Sequence, residues 1–144
     1  MLDSISQVVD VNNRVVSVIL NEYVQSARAF HIELELDVQI PEVLFVTAAD
    51  LYVLIGNTMD NAIEACQSVP EEDRKITLKL KTHNNILFYE ISNPFREEHL
   101  HRVRNNYHGY GLKNVERCVE KYNGAMEASK KSETFCIKAH LNSI

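Results

Sequence analysis

The sequence predicts an α+β fold in two layers: a mixed, mostly antiparallel sheet of about five strands covered on one face by about three helices. Two kinds of periodicity predict it. Apolar residues recur at helical spacing in three segments, and shorter runs alternate apolar with polar residues as half-buried strands do. Pro41, His83-Asn84-Asn85 and Asn123-Gly124 then mark turns between these segments.

In chain order, Val15, Val18, Ile19, Tyr23, Ala27 and Phe30 give residues 11 to 30 one helical face, with Asn12 or Asn13 as its cap. "HIELELDVQIP" alternates Ile32, Leu34, Leu36 and Val38, a strand ended by Pro41. Thr47 opens a second helix that runs to about Ser68, with Asp50 three residues on as the acidic arm of a capping box. "VPEEDR" is a polar turn. "KITLKLKTH" and "ILFYEISN" follow as the strands of a hairpin turning at His83-Asn84-Asn85. Residues 94 to 108 are polar and aperiodic, the pattern of a functional loop. A third helix spans about Leu112 to Tyr122 and closes on Asn123-Gly124, after which "AMEASKK" and "TFCIKAHL" supply two more strands. No repeat, linker or low-complexity stretch interrupts the chain, so 1–144 reads as one domain with 1–30 as a leading helical segment.

Composition narrows the function classes. The 144 residues are 45% hydrophobic and 24% charged, which fits a globular domain with its own core and excludes disordered and collagen-like chains. Fifteen Lys and Arg against twenty Asp and Glu give a net charge of -5 with no basic stripe, so nucleic acid is not an expected partner. Cys66, Cys118 and Cys136 are odd in number and widely spaced, as expected of reduced thiols in a cytosolic setting. No apolar run approaches the roughly 18 residues of a membrane helix, so this segment is not expected to contact a membrane directly.

The chemistry concentrates in "GNTMDNAIEAC", residues 56 to 66. At about 100° per residue, Leu51, Leu54, Ile55, Met59, Ala62, Ile63 and Cys66 share a broad apolar arc. Asn57, Asp60, Asn61 and Glu64 fall at i, i+3, i+4 and i+7, one narrow polar stripe beside it. Asn and Asp cost a helix roughly 0.5 kcal/mol each relative to Ala, so something must offset them. Two Asn one turn apart can offer oxygen to a hard cation such as magnesium, and N–H to water or phosphate. They can equally cap neighbouring loops or pair with each other, and spacing alone does not decide.

"NTMDNAIEA" resembles the N-box of the GHKL nucleotide-binding superfamily, shared by gyrase-type ATPases, heat-shock chaperones, sensor histidine kinases and mismatch-repair ATPases. "HGYGLKNV", residues 108 to 115, is similar to its G2 box, a G-x-G-L that hinges an ATP lid and opens a helix. The order of elements matches too, which implies a Bergerat-type ATP-binding fold. "NRVVSVILNEYVQSARAFHIELELDVQIP", the Ala-Ile-Glu-Ala ending of the N-box, and "ISNPF" in place of D-x-G-x-G resemble the peptide-pheromone (quorum-sensing) branch of the sensor histidine kinases.

That resemblance implies ATP and Mg2+ as cofactors, Asn61 as the metal ligand, and Asn57 as a phosphate-holding partner, the two forming the catalytic pair. Hydrolytic relatives carry a Glu at the position of Asn57, whereas a carboxamide cannot act as a general base. This favours transfer of the γ-phosphoryl group to an acceptor other than water, a reaction that asks the protein mainly for positioning and charge neutralisation. Asp60 is read as a contact to metal-bound water or as a structural hydrogen bond, and Glu64 as solvated or capping. Asn93 stands where the family's G1 box has an adenine-binding Asp. Its carbonyl can still accept a hydrogen bond, at a loss of about 1 kcal/mol. Pro94 and Phe95 replace that box's glycines, and Pro94 also reads as a plain strand terminator.

Gly109 and Gly111 are expected to let the backbone turn sharply and approach phosphate, with Leu112 near the base. Thr134 resembles the family's adenine-facing Thr, although Glu133 replaces the usual Gly and β-propensity is a competing explanation. Residues 94–108 are then the ATP lid, where Arg102, Arg104 and His108 are candidates for the γ-phosphate, beside Arg96, His99 and His101.

The implied partners are a histidine-bearing dimerisation domain of the same receptor and a response regulator downstream. Nothing in the chain resembles that dimerising hairpin. The expectation is therefore a cytoplasmic catalytic domain of a membrane-bound receptor, able to bind ATP but hardly to phosphorylate itself. Two alternatives remain open: an anti-sigma-type serine kinase of the same fold, and a degenerate docking module that no longer binds nucleotide.

Overall fold

A computed structural model describes residues 11–96 and 110–143, the side chain of Tyr110 excepted. Helix α1 (Arg14–Ala29) starts where Asn13 accepts the Val16 N–H at 3.0 Å and donates its Nδ2 to the Glu42 carbonyl at 3.1 Å. It ends with His31 in the left-handed region at φ 57°, where the Ile32 N–H reaches back to Ala27 O and the His31 N–H to Arg28 O. This Schellman closure turns the chain directly into β1 (Glu33–Gln39).

The sheet contains β1, β2 (Lys75–His83), β3 (Ile86–Pro94), β4 (Ala125–Lys131) and β5 (Thr134–Asn142), in the spatial order β1-β2-β3-β5-β4. β1 runs parallel to β2 and every other pair is antiparallel, so the sheet is mixed and mostly antiparallel as the sequence suggests. The parallel pair needs a crossover, supplied by the second helical stretch. Asn84 and Asn85 form the two-residue turn of the β2–β3 hairpin at φ 50° and 64°, the type I′ geometry that Asn tolerates.

Alternation gives the sheet a dry face and a wet one. Leu78, Leu80, Leu87, Tyr89, Ile91, Ile137 and Leu141 pack into one buried cluster with Ile19, Leu20, Leu54, Ile55, Met59 and Val119 from the helices. The opposite face carries Lys79, Lys81, Glu90 and Lys138 around a partly exposed Phe88. Cys66 and Cys118 are buried free thiols, each pushed up to about 11 by burial. No described helix is long and apolar enough to cross a membrane.

The second helical stretch departs from the uniform α-helix expected. It consists of α2 (Ala48–Leu51), a π-helical turn (Tyr52–Gly56) and α3 (Asn57–Cys66). A π turn carries one extra residue, and such turns are frequent at functional sites. Here it falls immediately ahead of Asn57.

Helix α4 (Tyr110–Lys121) begins two residues earlier than its sequence pattern indicates. It closes on Asn123, left-handed at φ 55°, with the Gly124 N–H bonded to Val119 O. Gly124 is squeezed against the sheet: a Cβ there would lie 1.8 Å from His140 O. Tyr122, just past α4, reshapes the expected capping box. Thr47 accepts the Asp50 N–H at 3.2 Å, but the Thr47 N–H goes to the Tyr122 hydroxyl at 3.1 Å and not to Asp50. That hydroxyl donates to Asp50 Oδ2 at 2.5 Å, and Lys121 Nζ lies 3.0 Å from the same oxygen. The carboxylate is thereby spent on tying α2 to α4.

Burial alone would raise the Asp50 pKa, but hydrogen bonds from Tyr122 and Lys121 outweigh it and hold the carboxyl below its usual range. A depressed folded-state pKa stabilises the fold fully above the unfolded value of about 4, and that stability drains as pH falls through the lower folded value. Asp50→Asn should therefore cost about 1–3 kcal/mol at neutral pH, with the gap to wild type shrinking below about pH 4. Urea titrations at three pH values check this, and a gap independent of pH contradicts it.

Candidate functional site

The π turn is held open by side chains. Val53 O takes the Asn57 Nδ2 at 2.9 Å in addition to the Asn57 backbone N–H. Leu54 O and Ile55 O take the Thr58 hydroxyl at 2.8 and 3.2 Å, and Gly56 O lies 3.3 Å from the Tyr23 hydroxyl. Each carbonyl from Val53 to Gly56 thus has a side-chain amide or hydroxyl within hydrogen-bond distance, and the Thr58 and Tyr23 hydroxyls, with one proton each, stand between two acceptors.

Thr58 settles the direction of a buried bond. Its hydroxyl has one proton, aimed at the Leu54 carbonyl, so the Tyr89 hydroxyl 2.6 Å away must donate to Thr58 Oγ1. Tyr89 is fully buried on β3, and burial pushes its pKa upward, which keeps that donor proton in place. The start of α3 is therefore pinned to the central strand.

These constraints orient Asn57. With its Nδ2 committed to Val53 O, its Oδ1 is turned toward α4. A Cβ built on Gly111 would lie 3.1 Å from that Oδ1. The motif at the start of α3 and the glycine in the first turn of α4 are thus brought into contact. Gly111 has no left-handed φ, so the sharp turn anticipated at this glycine is not what it provides. It provides space, because any side chain would press on the Asn57 amide.

Asn61 is half-buried one turn further on and has no hydrogen-bond partner among the described residues. Asp60 between them is exposed and accepts from the Tyr23 hydroxyl at 3.0 Å, the structural hydrogen bond of the two roles considered for it. Leu112 is half-buried and packs against the core.

Asn93 is buried near the end of β3, one register position from Pro94, which pairs with Thr134. β3 ends at Pro94, consistent with a residue that terminates a ladder. The Asn93 Nδ2 donates to the Pro94 carbonyl at 2.8 Å, and its Oδ1 has no partner among the described residues. A buried acceptor without a donor is costly, and an incoming N–H group would satisfy it. Thr134 is exposed at the start of the neighbouring strand β5. Gly109 and the lid candidates Arg102, Arg104 and His108, with His99 and His101, lie outside the described residues, whereas Arg96 is exposed at their border.

The donor set fits magnesium in kind: an oriented carboxamide oxygen on Asn57, a second carboxamide on Asn61, and no thiol or imidazole among them. No group of three or more His, Cys, Asp or Glu able to hold a metal occurs among the described residues. Sequence reasoning counted Tyr23 only as an apolar face position and gave Thr58 no role. The signal for both was available, since each places a hydroxyl on a face otherwise committed to the core.

A family model described as GHKL domain matches residues 46–142. Among solved structures, the catalytic domain of histidine kinase ThkA in one nucleotide-free form aligns with a TM-score of 0.67 at 14% identity, over 89% of this chain and 90% of that one. Another nucleotide-free form of that domain gives 0.68 at 13% identity, over 89% and 91%. The Acinetobacter baumannii histidine kinase AdeS gives 0.60 at 9% identity, over 88% of this chain and 64% of that one. At such identities the likeness is one of fold. No curated protein matches the sequence at a significant level.

The two tight glycines should respond differently to a methyl group. Gly124→Ala meets a fixed backbone carbonyl at 1.8 Å and should prevent cooperative folding. Gly111→Ala meets only the Asn57 amide, and the helix gains up to about 1 kcal/mol of propensity. It should keep the thermal transition within a few degrees of wild type while shifting the Asn57 side-chain amide in an NMR correlation spectrum. An unmoved Asn57 signal would contradict the contact.

Proposed function

The chain belongs to the GHKL domain family, and on that premise we propose that it is the ATP-binding catalytic module of a sensor histidine kinase, passing the γ-phosphoryl group of Mg-ATP to a histidine on a separate dimerisation domain. The observation that carries this reading is the contact between Asn57 and Gly111. It sets a fixed carboxamide row against the N-terminal turn of α4, and a helix N-terminus favours anions.

In this reading Asn61 holds magnesium and Asn57 orients the phosphates beside it. Bound magnesium would neutralise charge on the phosphate oxygens. Asn57 has one Nδ2 proton anchored to Val53 O, which leaves the other for a phosphate oxygen or a water, and its carboxamide offers no base to activate water. Water attack is thus left without assistance, while a partner hydroxyl or imidazole would bring its own nucleophile. Asn93 Oδ1 is the acceptor for the exocyclic amino group of adenine, with Thr134 at the neighbouring strand end and Leu112 along the base. With Pro94 in β3, we assign the lid to residues 95–108 and the hinge to Gly109, with Arg102, Arg104 and His108 as the proposed γ-phosphate contacts. A response regulator acts downstream, and the module works in the cytoplasm as part of a membrane-bound receptor.

The fold likeness to the catalytic domain of histidine kinase ThkA and to the histidine kinase AdeS supports this assignment. Two measurements test it in sequence. Calorimetry with a non-hydrolysable ATP analogue and magnesium should show binding that Asn61→Ala weakens at least about tenfold, as loss of a metal ligand typically does. Labelled phosphate transfer in trans to a cognate dimerisation domain should then give an acid-labile product. An acid-stable product would point to a serine kinase, and absence of binding heat to a docking module.

A further inference from the structure

Helix α1 precedes residues 46–142, the stretch that matches the family model, yet one of its side chains reaches into the candidate site. Tyr23 is half-buried on α1, and its hydroxyl lies 3.0 Å from Asp60 Oδ1 and 3.3 Å from Gly56 O. These two acceptors bracket Asn57: Gly56 is the last residue of the π turn, and Asp60 sits between Asn57 and Asn61 on the stripe. We propose that Tyr23 is a positioning residue, which clamps the π turn to α3 from outside and so sets the carboxamide pair for its metal–phosphate ligand.

The argument is geometric. The two acceptors lie four residues apart, one α-helical turn, and span the point where the π turn becomes α-helix. A hydroxyl has a single proton, and the shorter approach to the charged acceptor directs it to Asp60. That bond turns the exposed Asp60 carboxylate toward α1. The Gly56 carbonyl, 3.3 Å from the same hydroxyl, is the alternative acceptor, so the proton stays between these two groups. Burial and the Asp60 carboxylate both push the Tyr23 pKa upward, so the hydroxyl remains a donor throughout the working pH range. The neighbouring groups agree. Gly56 bears no side chain to compete, since a methyl there would already stand 3.4 Å from the Tyr23 oxygen. Asn57 is held on the opposite side by Val53 O, and Thr58 by Tyr89. Removing the Tyr23 hydroxyl frees Asp60 in the first turn of α3 and the Gly56 end of the π turn, while leaving the Thr58–Tyr89 anchor in place. Because Tyr23 belongs to α1, the clamp also links the placement of α1 to that of the stripe.

This proposal rests on the magnesium–nucleotide reading of the site, and the test separates the two. Tyr23→Phe deletes the hydroxyl and keeps the ring. The binding of a non-hydrolysable ATP analogue is measured by calorimetry across a magnesium titration and again with excess chelator, beside wild type and Tyr52→Phe, a hydroxyl deletion at a nearby exposed tyrosine. Tyr23→Phe should raise the magnesium concentration for half-maximal binding by about tenfold, the usual consequence of losing an outer contact that orients a metal site. Chelator-resistant binding and the Tyr52→Phe titration should stay within about twofold of wild type, which a purely stabilising role would not separate. Asp60→Ala should give the same shift, and the double variant no more than either alone. A Tyr23→Phe protein that melts lower but titrates magnesium as wild type does overturns the clamp and leaves the site standing. A wild-type chain that binds no nucleotide overturns both.

Discussion

The close approach of Gly111 to the Asn57 carboxamide is the constraint from which the remaining features of the site follow. It leaves little room for a side chain in the first turn of α4, and it depends on a side chain at Asn57 whose rotamer is fixed before anything binds. Two helices distant in sequence meet edge to edge there, leaving a carboxamide oxygen and the N-terminal end of a helix on the same side. A Lys or Glu at position 57 would be a better helix former, but neither carries a carboxamide that donates to Val53 O while turning its oxygen toward Gly111. The apparent inefficiency of Asn in this helix is the consequence of that contact.

Fixing Asn57 to this degree takes an unusual amount of support. A π turn ordinarily leaves carbonyls poorly matched, and here a hydroxyl or an amide lies within hydrogen-bond distance of each. Tyr89 brings the support from the central strand and Tyr23 from α1, so the turn is referenced to both layers of the fold. The Asp50–Tyr122–Lys121 network performs a parallel task at the other end of α4, holding it against α2. The candidate site therefore sits between two anchored points, and small displacements of α4 or α1 are felt at Asn57 and Asp60. Preorganisation of this kind is what phosphoryl transfer asks of a protein that contributes little covalent chemistry.

Much of this was legible in the sequence, for identifiable reasons. Strand alternation at Leu34 to Val38 and along β2 and β3 gave the two-faced sheet, because period two admits no other placement of those side chains. Asn84-Asn85 gave the hairpin, since few residues tolerate two successive left-handed conformations. The pairing of the Asn57 motif with Gly111 came from resemblance and was met by a contact. The π turn was not legible: "YVLIG" is as good an α-helix by periodicity, and the extra residue depends on donors from Tyr23, Asn57 and Thr58 that spacing does not reveal. The capping arm expected of Asp50 was overtaken by Tyr122, a residue 72 positions away. Long-range competition of that sort is invisible to a local rule.

In the proposed function, Asn57 and Asn61 line a magnesium–triphosphate site against the first turn of α4. Paramagnetic broadening with ATP and Mn2+ in place of Mg2+ tests it most directly, read at the side-chain amides of all asparagines together. The signals of Asn57 and Asn61 should vanish first, that of Asn93 should follow, and those of Asn84 and Asn85 in the hairpin turn should persist. Uniform broadening, or loss of the hairpin signals ahead of Asn61, would contradict the account.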